Sequence, residues 1–310
     1  MDQASNLRRI VFEQASGTKK TKTIAITSGK GGVGKTSLSA NLAIALAQAG
    51  ASVTLLDADL GMANINIVFG IIPKYNLYHV IKGKKALKDI VIEIPEGIKI
   101  IAGASGFYQL ANLETKQRSE FINAFATLDA DDYMLIDTGA GVSQNVLSFT
   151  MAADEVIVVT TPEPTAITDA YGIIKSIAAQ AYDKSVKLIV NRVQSVAEGK
   201  RVAQRMIDIT SQFLNIKVES IGFVFDDIVV PRSIRNQKPF MISDPKSKAA
   251  GCISVIADAL ANRSTTPEKG SGITLFFKNL LSSSSDKDDK RDEDDIDTDE
   301  HSKSTEKDEA

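Results

Sequence analysis

Residues 29–36 read Gly29-Lys30-Gly31-Gly32-Val33-Gly34-Lys35-Thr36, an ungapped match to G-x-x-x-x-G-K-[ST]. Glycines allow the backbone to bend sharply and turn its N–H groups towards phosphate oxygens, a wrap that Cβ atoms would obstruct. Lys35 supplies a point charge for β- and γ-phosphates, and the Thr36 hydroxyl suits Mg²⁺. Ser37, next along, joins the expected phosphate-binding set. The flanks agree: Lys22 to Thr27 reads as a short buried strand and Thr36 to Gln48 as a helix with an apolar stripe. The helix N-terminus would add partial positive charge where an anion sits. A Mg²⁺-bound nucleotide is therefore the expected ligand.

The remainder reads as alternating strands and helices. Strand-like runs lie at 52–57, 98–102, 133–137, 155–160, 186–191 and 218–223. Helix-like runs lie at 114–126, 142–151, 166–181, 197–214 and 246–260. The strands are continuous apolar runs, as expected of a parallel sheet covered on both faces. The prediction is an α/β, doubly wound, mostly parallel sheet flanked by helices, the architecture of P-loop NTPases. Ligands in such sheets sit at the strand C-terminal ends. Two carboxylates fall at one such end. Asp57 and Asp59, at i and i+2, share a direction and face the loop's phosphate. Asp57 is placed to hold a Mg²⁺-bound water and Asp59 to orient or deprotonate the attacking water. A polar strand exit is the bland alternative. The run Tyr133-Met134-Leu135-Ile136-Asp137-Thr138-Gly139 ends in a further aspartate, suited to a second metal-ligated water.

Lys30 is not required by the general pattern. With it the motif becomes K-G-G-x-G-K-[ST], and the chain resembles the MinD/ParA family of dimerising ATPases. The segments Asp57–Asn64 (D-x-D-x-G-x-A-N), Asp137–Gly141 (D-T-G-A-G) and Thr160–Thr165 (T-T-P-E-P-T) carry the resemblance further, over about residues 23–262. It implies ATP and Mg²⁺ as cofactors and an ATP-dependent homodimer. It also implies that Lys30 reaches the partner's nucleotide across a two-fold interface, much as an arginine finger would. By the same resemblance Lys30, Lys35 and Asp59 are the catalytic set, and Thr36, Asp57 and Asp137 serve the metal. Gly139 approaches the γ-phosphate, while Asn191, Arg192 and Asp226 lie beside the adenine. Thr165 is placed to cap the helix after its loop. For Arg235 and Phe240 the family role and simple packing remain equal alternatives.

Both ends of the chain narrow the branch. Asp2-Gln3-Ala4-Ser5-Asn6-Leu7-Arg8 resembles the opening of the flagellar branch, the FlhG group also called YlxH or FleN. That resemblance implies a helix over residues 1–16 in which Asp2, Gln3, Ala4, Leu7 and Arg8 meet an FlhF-type GTPase of the signal-recognition class. It also implies a flagellar switch (C-ring) protein or a flagellar transcription regulator as a further partner. Residues 17–22 read as a polar linker, 23–262 as the ATPase body and 263–272 as a second linker. In 273–281 the side chains of Ile273, Phe276, Phe277, Leu280 and Leu281 share one helical face. The expected role of that face is a reversible anchor on an anionic membrane; the alternative is a helix docked on the protein's own core.

From Ser282 onward there are 13 acidic and 5 basic residues, whereas the whole chain has a formal net charge of −3. The acidity therefore belongs to the 282–310 tail, whose composition predicts no folded core. The mildly basic remainder gives no reason to expect a nucleic-acid partner. One cysteine, Cys252, forms no internal disulfide and fits a reducing cytoplasm. No signal-peptide apolar core opens the sequence. The expected location is cytoplasmic, peripheral on the inner face of a bacterial inner membrane. The expected function is an ATP-dependent dimerising, membrane-cycling ATPase for flagellar number or placement; the alternatives are a division-site or chromosome-partition ATPase and a nucleotide-gated binding protein whose hydrolysis is incidental.

Overall fold

The computed structural model describes residues 21–59, 64–103, 115–125, 131–180, 184–262 and 272–282. The expected N-terminal helix (1–16), nearly all of both linkers and the tail after Ser282 lie outside the described residues.

Eight strands form one sheet: β1 (Lys22–Ser28), β2 (Val53–Ala58), β3 (Val91–Glu93), β4 (Ile98–Ile101), β5 (Tyr133–Ala140), β6 (Glu155–Thr160), β7 (Val186–Val193) and β8 (Val218–Phe225). Their spatial order is β3-β4-β2-β5-β1-β6-β7-β8. Every pairing is parallel except β3 with β4. β1 sits between β5 and β6, where the chain switches direction across the sheet, and the glycine loop leaves its C-terminal end. The doubly wound prediction holds. It did not include β3, a three-residue antiparallel edge strand with no fully buried side chain.

Helices cover both faces. On one lie α1 (Lys35–Gln48) and α10 (Lys248–Asn262); α1 is buried almost all round from Lys35 to Leu46, so it is a core helix. The other face carries α4 (Thr115–Phe125), α5 (Gln144–Ala152), α6 (Pro164–Gln180), α7 (Val196–Phe213) and α11 (Ile273–Ser282). Short helices α2 (Ile65–Phe69), α3 (Leu77–Ile81), α8 (Val229–Arg235) and α9 (Phe240–Ser243) fill the loops and were not foreseen. α5 begins two residues later than predicted because the Ser143 hydroxyl accepts the Val146 N–H and caps it. α6 begins at Pro164, so Thr165 lies within its first turn and is not its cap.

The structure decides the two readings of 273–281 for this conformation. Ile273, Phe276, Phe277, Leu280 and Leu281 are all buried, so α11 is docked and presents no apolar face to lipid here. Its rings meet those of its neighbours: Phe277 lies 3.9 Å from Phe125 and 5.3 Å from Phe121 between centroids, and Phe276 lies 6.2 Å from Phe149. The physical reason is supply. The sheet face beneath α4 and α5 exposes apolar surface that only another amphipathic element covers.

Candidate nucleotide site

The loop between β1 and α1 is built by its glycines. Gly32 and Gly34 take left-handed backbone angles, φ 79° and 93°, and Gly34 begins α1. Gly29 permits a close approach: a Cβ there would sit 1.9 Å from the Asp169 carbonyl oxygen of α6. The Asn191 Nδ2 donates to the Val33 carbonyl at 2.7 Å, fastening the loop to the end of β7.

Four predicted residues converge beneath the loop. Lys35 Nζ donates to Asp137 Oδ1 at 3.1 Å, with side-chain exposures of 8% and 0%. The Ser39 hydroxyl donates to the same oxygen at 3.0 Å. Asp57 and Asp137 are register partners on the adjacent strands β2 and β5. Asp57 accepts backbone N–H groups from Asp59 (3.1 Å), Asn64 (2.8 Å) and Ile65 (3.1 Å), so its carboxylate ties down the chain that leaves β2. Burial, against those hydrogen bonds and with Asp137 adding repulsion, raises the Asp57 carboxyl to about 6. Asp59 and Gly139 are neighbours: a Cβ on Gly139 would lie 3.7 Å from Asp59 Oδ1.

The donor set fits Mg²⁺ and phosphate. Asp137 Oδ2 and Ser37 Oγ are buried without a hydrogen-bond partner. An orphaned carboxylate oxygen beside a second aspartate is an oxygen-rich place for a hard cation's water shell. Thr36 opens α1 next to them, half-buried.

Lys30 lies elsewhere. Its Nζ donates to Glu163 Oε2 at 3.3 Å and to the Thr165 hydroxyl at 3.0 Å, and both side chains of this ion pair are exposed (40% and 58%). It rests on the loop before α6 rather than on the Lys35–Asp137 pair. An exposed pair of this kind contributes about 0–1 kcal/mol and exchanges readily.

On the opposite side of Gly34 and Ser37 opens a cavity of about 570 Å³. Asn191, Arg192 and Asp226, expected beside the adenine, line it. The Asn191 amide is engaged at both ends, since the Arg192 N–H donates to its Oδ1 at 2.9 Å. That leaves one amide hydrogen and one lone pair for a base edge. Arg192 holds φ 58°, a left-handed angle that bulky residues rarely adopt, at the rim of the cavity. Asp226 accepts from Gln194 Nε2 at 3.1 Å. Sequence reasoning missed Gln194, Glu198, Pro231 and Ile234 in the lining; no motif marks them, because they follow β7 and β8 as ordinary loop and helix residues. Phe240 is buried and lines the cavity, whereas Arg235 is exposed. Asp227 accepts the N–H groups of Val229 and Ala249 and so starts both α8 and α10.

A glycine cradle, a buried lysine, two paired aspartates and an adjoining cavity at a β1 switch point define a phosphate-loop nucleotide-binding protein. The model of the CobQ/CobB/MinD/ParA nucleotide-binding domain matches residues 24–240. The antiactivator FleN of Pseudomonas aeruginosa is 37% identical over 271 residues, covering 87% of this chain and 97% of that protein. The flagellum site-determining protein YlxH of Helicobacter pylori is 36% identical, covering 84% and 90%. Among solved structures, MinD of Pyrococcus horikoshii complexed with Mg-ADP superposes with a TM-score of 0.64 at 26% identity, covering 80% of this chain and all of that one. MinD in the MinC:MinD complex of Aquifex aeolicus gives the same TM-score and identity. The chain belongs to the CobQ/CobB/MinD/ParA nucleotide-binding family, and its relatives place it with the MinD/ParA ATPases.

Proposed function

We propose that the chain is a Mg²⁺-dependent ATPase that dimerises on ATP and regulates flagellar number or placement. The observation that carries the reading is the convergence of Lys35, Asp57, Asp59 and Asp137 under the glycine loop in a chain that matches FleN and YlxH over most of its length. Loop N–H groups and Lys35 bind and orient the phosphates, Thr36 with Asp57 and Asp137 holds Mg²⁺, and the cavity takes the adenosine. Bound Mg²⁺ supplies charge neutralisation at the phosphates. Asp59 orients the attacking water. Lys30 leaves Glu163 and Thr165 to serve the partner's nucleotide.

In this reading residues 2–14 engage an FlhF-type GTPase and Gln3 orients the water in that site. A switch protein or transcription regulator reads the ATP-bound dimer. α11 undocks to meet an anionic inner membrane from the cytoplasmic side. Among the described residues no helix is long and apolar enough to cross a membrane. A division-site role is the second reading, favoured by 32% identity to the septum site-determining protein MinD of Bacillus subtilis.

Light scattering with ATP on Asp59→Ala tests the ATPase core: a trapped dimer without turnover is expected, and a persistent monomer overturns it. A peptide of residues 1–20 tests the flagellar assignment. It should raise the GTPase rate of the cognate FlhF-type protein, and Gln3→Ala should remove most of the gain. No stimulation by peptide or full chain leaves the division-site reading in front.

A further inference from the structure

The segment from Lys74 to Lys88 carries charge of one sign. It holds Lys74, Lys82, Lys84, Lys85 and Lys88 and no Asp or Glu. Four of these lysines are exposed and Lys85 is half-buried. No carboxylate among the described residues forms an ion pair with any of them. The next carboxylate along, Asp89, is engaged in accepting the Ala86 N–H at 3.1 Å.

The charges are held in place. Leu77, Ile81 and Leu87 root the segment in the core cluster that also receives α11. Beyond α3, Gly83 turns the chain at φ 64°, and the Lys84 and Lys85 N–H groups donate to the His79 carbonyl at 2.8 and 3.2 Å. Two tyrosines form the floor: Lys85 Nζ lies 4.2 Å and Lys74 Nζ 5.6 Å from the Tyr75 ring centroid, and Lys82 Nζ lies 5.9 Å from that of Tyr78. Like charges gathered this way repel one another, and an acidic partner relieves the repulsion.

The chain carries such a partner. α11, on the same core cluster, ends at Ser282. Asp286, Asp288 and Asp289 follow closely, and most of the acidic residues beyond Ser282 lie by Glu300. An extended chain covers roughly 3.3–3.6 Å per residue, so carboxylates from Asp286 to Glu300 reach about 14–60 Å from Ser282. A body of this size has a radius of gyration near about 18 Å, well within that reach. Tethering also holds the acidic segment at an effective concentration of about millimolar, which no free anion at low level matches.

We propose that the acidic segment 286–300 docks on the Lys74–Lys88 face of its own chain and shields it from other polyanions. Each exposed pair is weak, so the contact depends on several acting together and on low salt. Other occupants fit less well. The tyrosine faces already lie under ammonium groups instead of standing open to stack on bases. While α11 is docked, its apolar side chains that would enter a bilayer are buried. The inference stands apart from the flagellar reading and from nucleotide turnover.

Zero-length carbodiimide cross-linking of the full chain at low salt, mapped by mass spectrometry, tests the contact. Intramolecular links from the tail are expected to favour the five lysines several-fold over exposed Lys200, Lys238 and Lys246, and to vanish at high salt. Links spread over all exposed lysines, or formed only between molecules, overturn the proposal. A second arm uses vesicles of anionic phosphatidylglycerol and a short DNA duplex. Full chains with tail Asp and Glu changed to Asn and Gln should bind either polyanion several-fold more tightly, and adding Lys82→Gln, Lys84→Gln and Lys85→Gln should abolish the gain. Vesicle or duplex binding that depends on these lysines but is indifferent to the tail would identify a lipid or nucleic-acid face and refute the tail as occupant.

Discussion

Replacing Phe277 by Ala should release α11 while leaving the ATPase body folded. Phe277 is fully buried, between Phe125 at 3.9 Å and Phe121 at 5.3 Å. Five buried apolar side chains hold the helix, and at about 2 kcal/mol each they contribute roughly 10 kcal/mol. Ordering its ten residues costs about 1 kcal/mol each at the low end, again roughly 10 kcal/mol. Docking is therefore near balance, with helix hydrogen bonds and the Gly272 N–H on the Asp154 carboxylate adding a little. Phe→Ala in a core costs about 3–5 kcal/mol, enough to tip that balance. Hydrogen exchange followed by mass spectrometry is the assay. Fast exchange across 273–281, with β1, β5 and β6 still protected, is the expected result. Unchanged protection in 273–281 refutes the energetic argument. Loss of protection throughout the sheet refutes the view that α11 is separable from the body.

Gly29→Ala should lower the melting temperature of the nucleotide-free protein by several degrees, because its Cβ would sit 1.9 Å from backbone, whereas Gly31→Ala, with nothing within 4 Å, should not. Equal melting of the two variants sinks that reading of the loop. Asp57 gives a pH dependence: a carboxyl raised from 3.8 to about 6 favours the fold while protonated, so metal-free stability should fall as pH rises from about 4 to about 6. The change is on the order of 3 kcal/mol. Denaturation midpoints in chelator should show this slope, and Asp57→Asn should flatten it; parallel slopes in the two proteins would count against the assignment. Mg²⁺ and ATP should bind cooperatively, each tightening the other about tenfold or more. Calorimetric titrations showing independent binding would remove that expectation.

The glycine loop was legible because its chemistry is local: sharp turns, one lysine and one hydroxyl at fixed spacing. The central strands were legible because burial on both faces leaves uninterrupted apolar runs such as Val156–Val159. β3 was not, since a half-buried three-residue edge carries too little pattern. Nor were α8 and α9, whose start rests on Asp227 and Pro239 rather than on periodicity. The stripe Ile273–Leu281 was legible as a helix, but an apolar face reads the same whether it covers a core or a bilayer. Only the rings of Phe121, Phe125 and Phe149, far off in sequence, settle where it lies here. The contact of Lys30 with Thr165 and that of Asn191 with Val33 join residues more than a hundred positions apart, and no spacing rule connects them.

The expected coupling of metal and nucleotide follows from the buried pair. Lys35 neutralises Asp137 where the carboxylate is fully buried and the lysine side chain is 8% exposed. A phosphate that draws Lys35 away leaves Asp137 charged, buried and adjacent to Asp57 on the next strand. Removing one partner of a buried pair costs about 3–5 kcal/mol, because the other charge is left uncompensated. A Mg²⁺ held by both aspartates would cancel that cost. The converse also holds: a cation placed between the aspartates while Lys35 stays on Asp137 crowds two positive centres onto one carboxylate. Each ligand thus relieves the repulsion the other creates, and the site favours the two arriving together. Lys30, on exposed Glu163 and Thr165, carries no such penalty, so the proposed move to a second molecule's phosphates would cost little.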